Sequence, residues 1–245
     1  MPRYKLIIEY DGAPFWGWQW QDNGPSVQGC LKHAATKLNG SVVEVIGAGR
    51  TDSGVHALGQ VAHLDLDKNL PTGTVRDAIN QHLRPHPIAV LSCEEVGPDF
   101  HARFSATKRH YIYRIINRRP PLTLDKGKIW RVGTKLDVDA MHAAGQCLVG
   151  EHDFTTFRDV RCQSKSPVKT LDKITVRQVA DEIELTCSAR SFLHRQVRSI
   201  TGSFAEIGRG NWTERDLIAA LKARDRAACA VVAPADGLYL ERVDY

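Results

Sequence analysis

The chain has 245 residues, of which 42% are hydrophobic and 25% charged, and a net charge of +5. These values are typical of a globular protein with a sizeable core, in one large domain or two of moderate size. No apolar run approaches the length of a membrane-spanning helix and no Cys-x-x-Cys pair occurs, so we expect a cytoplasmic protein with reduced thiols, no bound metal and no membrane partner.

The first half of the chain predicts the element order β-α-β-β-α-β. A strand over residues 3–10 precedes a helix over 26–38, strands follow at 42–46 and 60–66, a helix begins near a capping-box-like Thr74, and a strand covers 88–91. This order is that of a ferredoxin-like unit.

The run G-A-G-R-T-D-S-G-V-H-A, residues 47–57, lies between the two middle strands. Its glycines allow positive φ angles and close approach to a ligand, while Arg50 and Asp52 supply opposite charges two residues apart. The run is neither a P-loop nor a dinucleotide fingerprint, because the required lysine and third glycine are missing. It indicates a site, although an aspartate in a glycine-rich turn also commonly caps its own backbone.

The second half of the chain predicts a similar order of elements. We expect a strand over 111–116, a helix from 139 to just before 150, strands at 172–179 and 182–189, helices from 191 to 208 and from 213, and a last strand at 238–240. The halves share no sequence identity. The pattern predicts an α+β protein, with domains 1–104 and 105–245 forming a largely antiparallel mixed sheet, helices packed on it and a central cleft.

Positive charge is concentrated in the second half. Residues 1–104 carry a net charge of −2 and residues 105–245 a net charge of +7, and nine Lys/Arg lie between residues 105 and 135 against Asp125 alone. Such a segment favours a polyanionic partner. The charge count does not distinguish RNA from DNA or from an acidic protein.

The run at residues 48–57 resembles the signature of the bacterial tRNA pseudouridine synthase A family. Further matching segments are F-H-A-R-F-S-A-T-K-R-H-Y-I-Y at 100–113, G-E-H-D-F at 150–154, F-L-H-R-Q-V-R at 192–198 and D-G-L-Y-L at 236–240, with Y-D-G at 10–12 and G-W-Q at 17–19. The resemblance therefore covers nearly the whole chain. Trp20 departs from it, because relatives often carry a polar or basic residue there.

The resemblance implies the pseudouridine synthase fold and the conversion of uridine to pseudouridine at positions 38, 39 and 40 of the tRNA anticodon stem-loop, by a cofactor-independent homodimer. It implies that Asp52 is catalytic, that Tyr111 stacks on the target base and that Arg198 meets the aspartate. Arg50 could reach a phosphate of the substrate. Tyr111 and Tyr113 lie on one face of a strand, where rings either stack on a base or pack in a core.

Two other functions are compatible with the residues. Ferredoxin-like sheets with exposed aromatic rings also occur in non-catalytic tandem RNA-binding modules, although the usual RNA-recognition run is missing here. The glycine-rich loop alone would suit a phosphate-handling enzyme acting on small nucleotides. That second interpretation leaves the basic segment unexplained.

Overall fold

The computed structural model describes residues 1–22 and 24–245 and contains two compact units. The first unit comprises Met1–Thr107 together with Tyr239–Tyr245, and the second comprises Lys108–Leu238. The predicted division assigned all of residues 105–245 to the second half. In the structure, Tyr239–Tyr245 belong to the first unit, and the last strand of the chain pairs with a strand of that unit.

The first unit contains β1 (Arg3–Tyr10), α1 (Val27–Asn39), β2 (Ile46–Gly47), β3 (His56–Asp65), α2 (Thr72–Leu83) and β4 (Ile88–Val96). The central strand β1 is antiparallel to both β3 and β4. Alternate residues of β1, including Tyr4, are fully buried. The Tyr4 hydroxyl donates to the carbonyl of Leu70, just before α2. The buried face of β1 is therefore the one that faces the segment leading into α2.

The second unit contains β5 (Lys108–Asn117), β6 (Trp130–Val132), α3 (Val138–Gly145), β7 (Gly150–Asp153), β8 (Val168–Val179), β9 (Glu182–Ala189), α4 (Gln196–Gly208) and α5 (Glu214–Ala223). Its strands follow the order β5-β9-β8-β7, all antiparallel, and β6 adds a parallel pair on the other edge of β5. The sequence did not predict β6 and β7, because runs of three or four residues are too short to show a strand period.

The last strand, β10 (Leu238–Asp244), pairs in parallel with β3 at His56 and Ala57. It shares that edge of β3 with β2, which pairs only with Ala62 and His63. The predicted α+β class with largely antiparallel strands is confirmed.

The predicted strand at 42–46 is wrong except for its last residue. Two backbone groups of this segment bond to side chains of α1: Val43 N donates to Thr36 Oγ1 over 3.2 Å, and the Val45 carbonyl accepts from Gln28 Nε2 over 2.8 Å. The helix predicted from residue 191 begins only at Gln196. The residue before it, Arg195, has a left-handed φ of 61°, which no helical residue adopts.

Candidate functional site

Residues 48–55 form the loop between β2 and β3, and we call this segment the motif loop. Its turn is closed by the backbone N–H of Val55, which donates to the carbonyl of Asp52 over 3.1 Å, with Gly54 at a φ of 78°. The Asp52 side chain is half-buried and that of Arg50 is exposed. The loop therefore places a carboxylate at the protein surface on a hydrogen-bonded turn.

The segment that follows β1 packs directly on the motif loop. Trp18 N donates to the Thr51 carbonyl over 3.1 Å, and Ser53 Oγ donates to the Phe15 carbonyl over 3.2 Å. Gly17 has a φ of 97°, and a Cβ there would lie 2.6 Å from the Thr51 oxygen. The two residues beside Asp52 are thus both held by backbone contacts from residues 15–18.

Gly12 makes the closest of these approaches. A Cβ at this position would lie 2.1 Å from the Val55 oxygen, so only glycine fits. The runs Y-D-G and G-W-Q match the family, but the sequence alone predicts no role for them. Their glycines were the available signal for a close backbone approach.

His56, the first residue of β3, ties Gly12 to the loop. Its ring is 2% exposed and stacks on Tyr239 at a centroid distance of 4.6 Å. Its Nδ1 accepts from Gly12 N over 3.0 Å and lies 3.2 Å from Asp11 Oδ1. This buried contact fixes the end of the motif loop against the end of β1.

Two further polar contacts organise the loop. The Tyr10 hydroxyl bonds Thr51 Oγ1 over 2.8 Å, and burial raises the pKa of Tyr10 to about 12, so the phenol stays protonated even at alkaline pH. The Arg50 Nε donates to Gln19 Oε1 over 2.9 Å. Gln19 was not among the predicted site residues, and this contact orients the Arg50 side chain.

In the second unit, Tyr111 lies on β5 and is 9% exposed, with its ring edge-to-face against Phe192 at 5.1 Å. Tyr113 is fully buried and donates its hydroxyl to the Pro234 carbonyl over 2.8 Å. Core packing of Tyr113 is therefore confirmed. Burial raises the pKa of Tyr113 far above its usual value.

Arg198 lies in the first turn of α4 and is half-buried. Its Nε donates to the Ala233 carbonyl over 2.8 Å, and Ala233 N donates back to the Arg198 carbonyl over 3.1 Å. Ala233 adjoins Pro234, which holds Tyr113. The structure thus brings Arg198 and Tyr113 to one short segment of the second unit, and it places Arg50 and Asp52 together on the motif loop of the first.

The basic segment is partly neutralised inside the second unit. Arg114 makes two hydrogen bonds to Glu182, over 2.9 and 2.8 Å, and Lys108 pairs with Asp172 over 3.0 Å. Counting charges along the sequence therefore overstated the positive surface. The exposed cations of the segment are Arg119, Lys126, Lys128, Arg131 and Lys135.

Among the residues that the structure describes, no group of three or more His, Cys, Asp or Glu side chains is arranged to hold a metal ion. Within the same residues, no helix is both long enough and apolar enough to cross a membrane.

Comparison of the sequence with known protein families identifies the class of protein as a pseudouridine synthase. The sequence matches the tRNA pseudouridine synthase family over residues 6–105 and 144–245. It is similar to proteins named tRNA pseudouridine synthase A: 65% identical to that of Maricaulis maris (strain MCS10), over all of this chain and 98% of the relative. Those of Afipia carboxidovorans and Parvibaculum lavamentivorans are 64% and 61% identical, with both chains fully covered. The chain belongs to the tRNA pseudouridine synthase A family, as its motifs indicated.

Proposed function

We propose that this protein isomerises uridine to pseudouridine in tRNA, at positions 38, 39 and 40 of the anticodon stem-loop. The observation that carries the proposal is the full-length similarity to proteins named tRNA pseudouridine synthase A. The motif loop supports it physically, because its backbone contacts hold Asp52 on a defined turn.

The reaction breaks the bond from N1 of uracil to C1′ of ribose, turns the base, and joins C5 to C1′. The hydrogen on C5 leaves as a proton and N1 takes up a proton, so nothing is oxidised and no second substrate is consumed. Asp52 either attacks C1′ or removes a proton from the sugar to form a glycal, and both paths need an ionised carboxylate held against the ribose. A half-buried side chain on a hydrogen-bonded turn suits either role.

Three other residues have proposed roles in substrate binding. Tyr111 stacks on the everted uracil, and Arg198 balances the charge of Asp52. Arg50 contacts a phosphate of the substrate. The exposed side chain of Arg50 supports its role. The ring of Tyr111 packs against Phe192, and Arg198 donates to the Ala233 carbonyl, so both side chains have a defined orientation.

The exposed cations of residues 119–135 are proposed to contact tRNA phosphates. The family resemblance also leads us to propose a cytoplasmic homodimer. Light scattering of the purified protein would measure the oligomeric state.

The test is the substitution Asp52→Asn, which preserves shape but removes the carboxylate. We expect loss of tritium release from tRNA labelled at uridine C5, with tRNA affinity nearly unchanged. Asp77→Asn is the matched control, because Asp77 is an exposed residue of α2 paired with its neighbour Arg76, and it should keep full activity. If the protein is instead a non-catalytic RNA-binding module, the wild-type protein itself will bind tRNA but release no tritium. An Asp52→Asn variant that still turns over would show that the catalytic assignment is wrong.

A further inference from the structure

The turn at residues 101–105 is held rigidly on the first unit. The Nδ1 of His101 accepts from the backbone N–H groups of Arg103 and Phe104, over 3.1 and 3.3 Å. Ala102 N donates to Nδ1 of the buried His63 over 3.1 Å, and Ser105 Oγ accepts from His101 N over 2.9 Å. These bonds fix the backbone on either side of Phe104.

A series of rings continues from the core to the surface at this turn. His63 contacts His101 at a centroid distance of 4.9 Å, and His101 lies against Phe104 at 4.4 Å with an interplanar angle of 33°. The guanidinium of Arg103 lies 5.5 Å from the Phe104 centroid. Phe104 itself is 71% exposed. The structure thus presents a large apolar ring to solvent, supported from behind and beside a cation.

The turn is also close to the start of the motif loop. Ala102 belongs to a small buried cluster with Ala48, the first residue of that loop, and Val61 of β3. Phe104 therefore belongs to a turn that packs against the start of the motif loop.

We propose that Phe104 is a stacking platform for an unpaired base of the RNA substrate, distinct from the target uridine. A fixed aromatic face next to a guanidinium suits the face of a base and the adjoining phosphate, and such stacking is tolerant of base identity. A protein partner would be expected to use a wider apolar surface than one ring. The inference rests on the proposed function, because it takes tRNA as the ligand.

The experiment measures tRNA affinity in the Asp52→Asn background, so that binding is separated from turnover. Phe104→Leu keeps an apolar side chain but removes the flat face, and we expect Kd to rise about tenfold. Phe104→Trp keeps an aromatic face and should bind within about threefold of the parent, given the same stacking. The slope of affinity against salt should not change, because Phe104 neutralises no phosphate. Val42→Ala, at a 74% exposed residue of the same unit, is the control and should bind like the parent.

The outcomes separate this inference from the proposed function. If wild-type protein releases tritium but Phe104→Leu binds as tightly as the parent, the platform is wrong and the proposed function stands. If Phe104→Leu changes the oligomeric state in light scattering, the ring is part of a contact between two copies, which also overturns the proposal. Wild-type protein that neither binds nor isomerises tRNA would refute the proposed function itself.

Discussion

The approach of Gly12 to the motif loop gives a prediction whose size follows from the structure. A Cβ at Gly12 would lie 2.1 Å from the Val55 oxygen, whereas ordinary contact begins at 3.4 Å, so Gly12→Ala requires the two backbones to separate by about 1.3 Å. Val55 closes the turn on Asp52. A displacement of about 1 Å at a reacting group can cost roughly 100-fold in rate. We therefore expect kcat to fall about 100-fold, with a loss of about 1–3 kcal/mol in the free energy of unfolding from overpacking.

Tritium release at saturating tRNA measures kcat, and urea unfolding measures stability. Gly73→Ala is the matched control, because a Cβ there meets no heavy atom within 4 Å among the described residues. That variant should keep its rate and lose no stability, since alanine is the better helix former. A Gly12→Ala protein with wild-type rate and stability would contradict the proposed link between this contact and Asp52.

Two further predictions concern side chains of β3. His56→Asn keeps a hydrogen-bond acceptor near the position of Nδ1 and should retain kcat. His56→Gln places its amide one bond further out and leaves the buried N–H of Gly12 unsatisfied, so kcat should fall about tenfold with KM unchanged. Steady-state kinetics that show equal rates for the two variants would exclude this positioning role. The hydrogen bonds from Arg3 hold the pKa of Asp65 below its usual value. This pair therefore stabilises the fold fully at pH values above the unfolded-state pKa of about 4. The stabilisation is lost as the pH falls through the lower pKa that Asp65 has in the folded protein. Urea unfolding at several pH values should therefore show a shallower acid-side loss of stability for Asp65→Asn than for the wild type, and identical acid limbs would refute this.

Much of the local structure could be predicted because it depends on neighbouring residues. The apolar spacing of α1 and the alternation of β1 and β9 are periodic over eight or more residues, so their faces and approximate ends were predictable. The motif loop was predictable as a loop between two strands because four glycines in thirteen residues disfavour regular structure. The family followed from the same short runs.

Other features depend on groups far apart in the chain. The apolar run at residues 238–240 predicts a strand, but nothing in that run shows that the strand pairs with β3, more than 150 residues earlier. The charge count located the basic segment but could not show that Glu182 engages Arg114. The start of α4 was misplaced because the left-handed backbone of Arg195 leaves no periodic signal.

By itself, then, the sequence determined the α+β class, most helices and strands, the family and the loop that carries Asp52, because these depend on side-chain type and short-range spacing. Only the tertiary structure decided that Gly12 and Gly17 lie close to the backbone of that loop, and which cations remain exposed. Hydrogen bonds and close contacts depend on distances of a few ångströms between segments that are remote in sequence, and no local pattern encodes those distances.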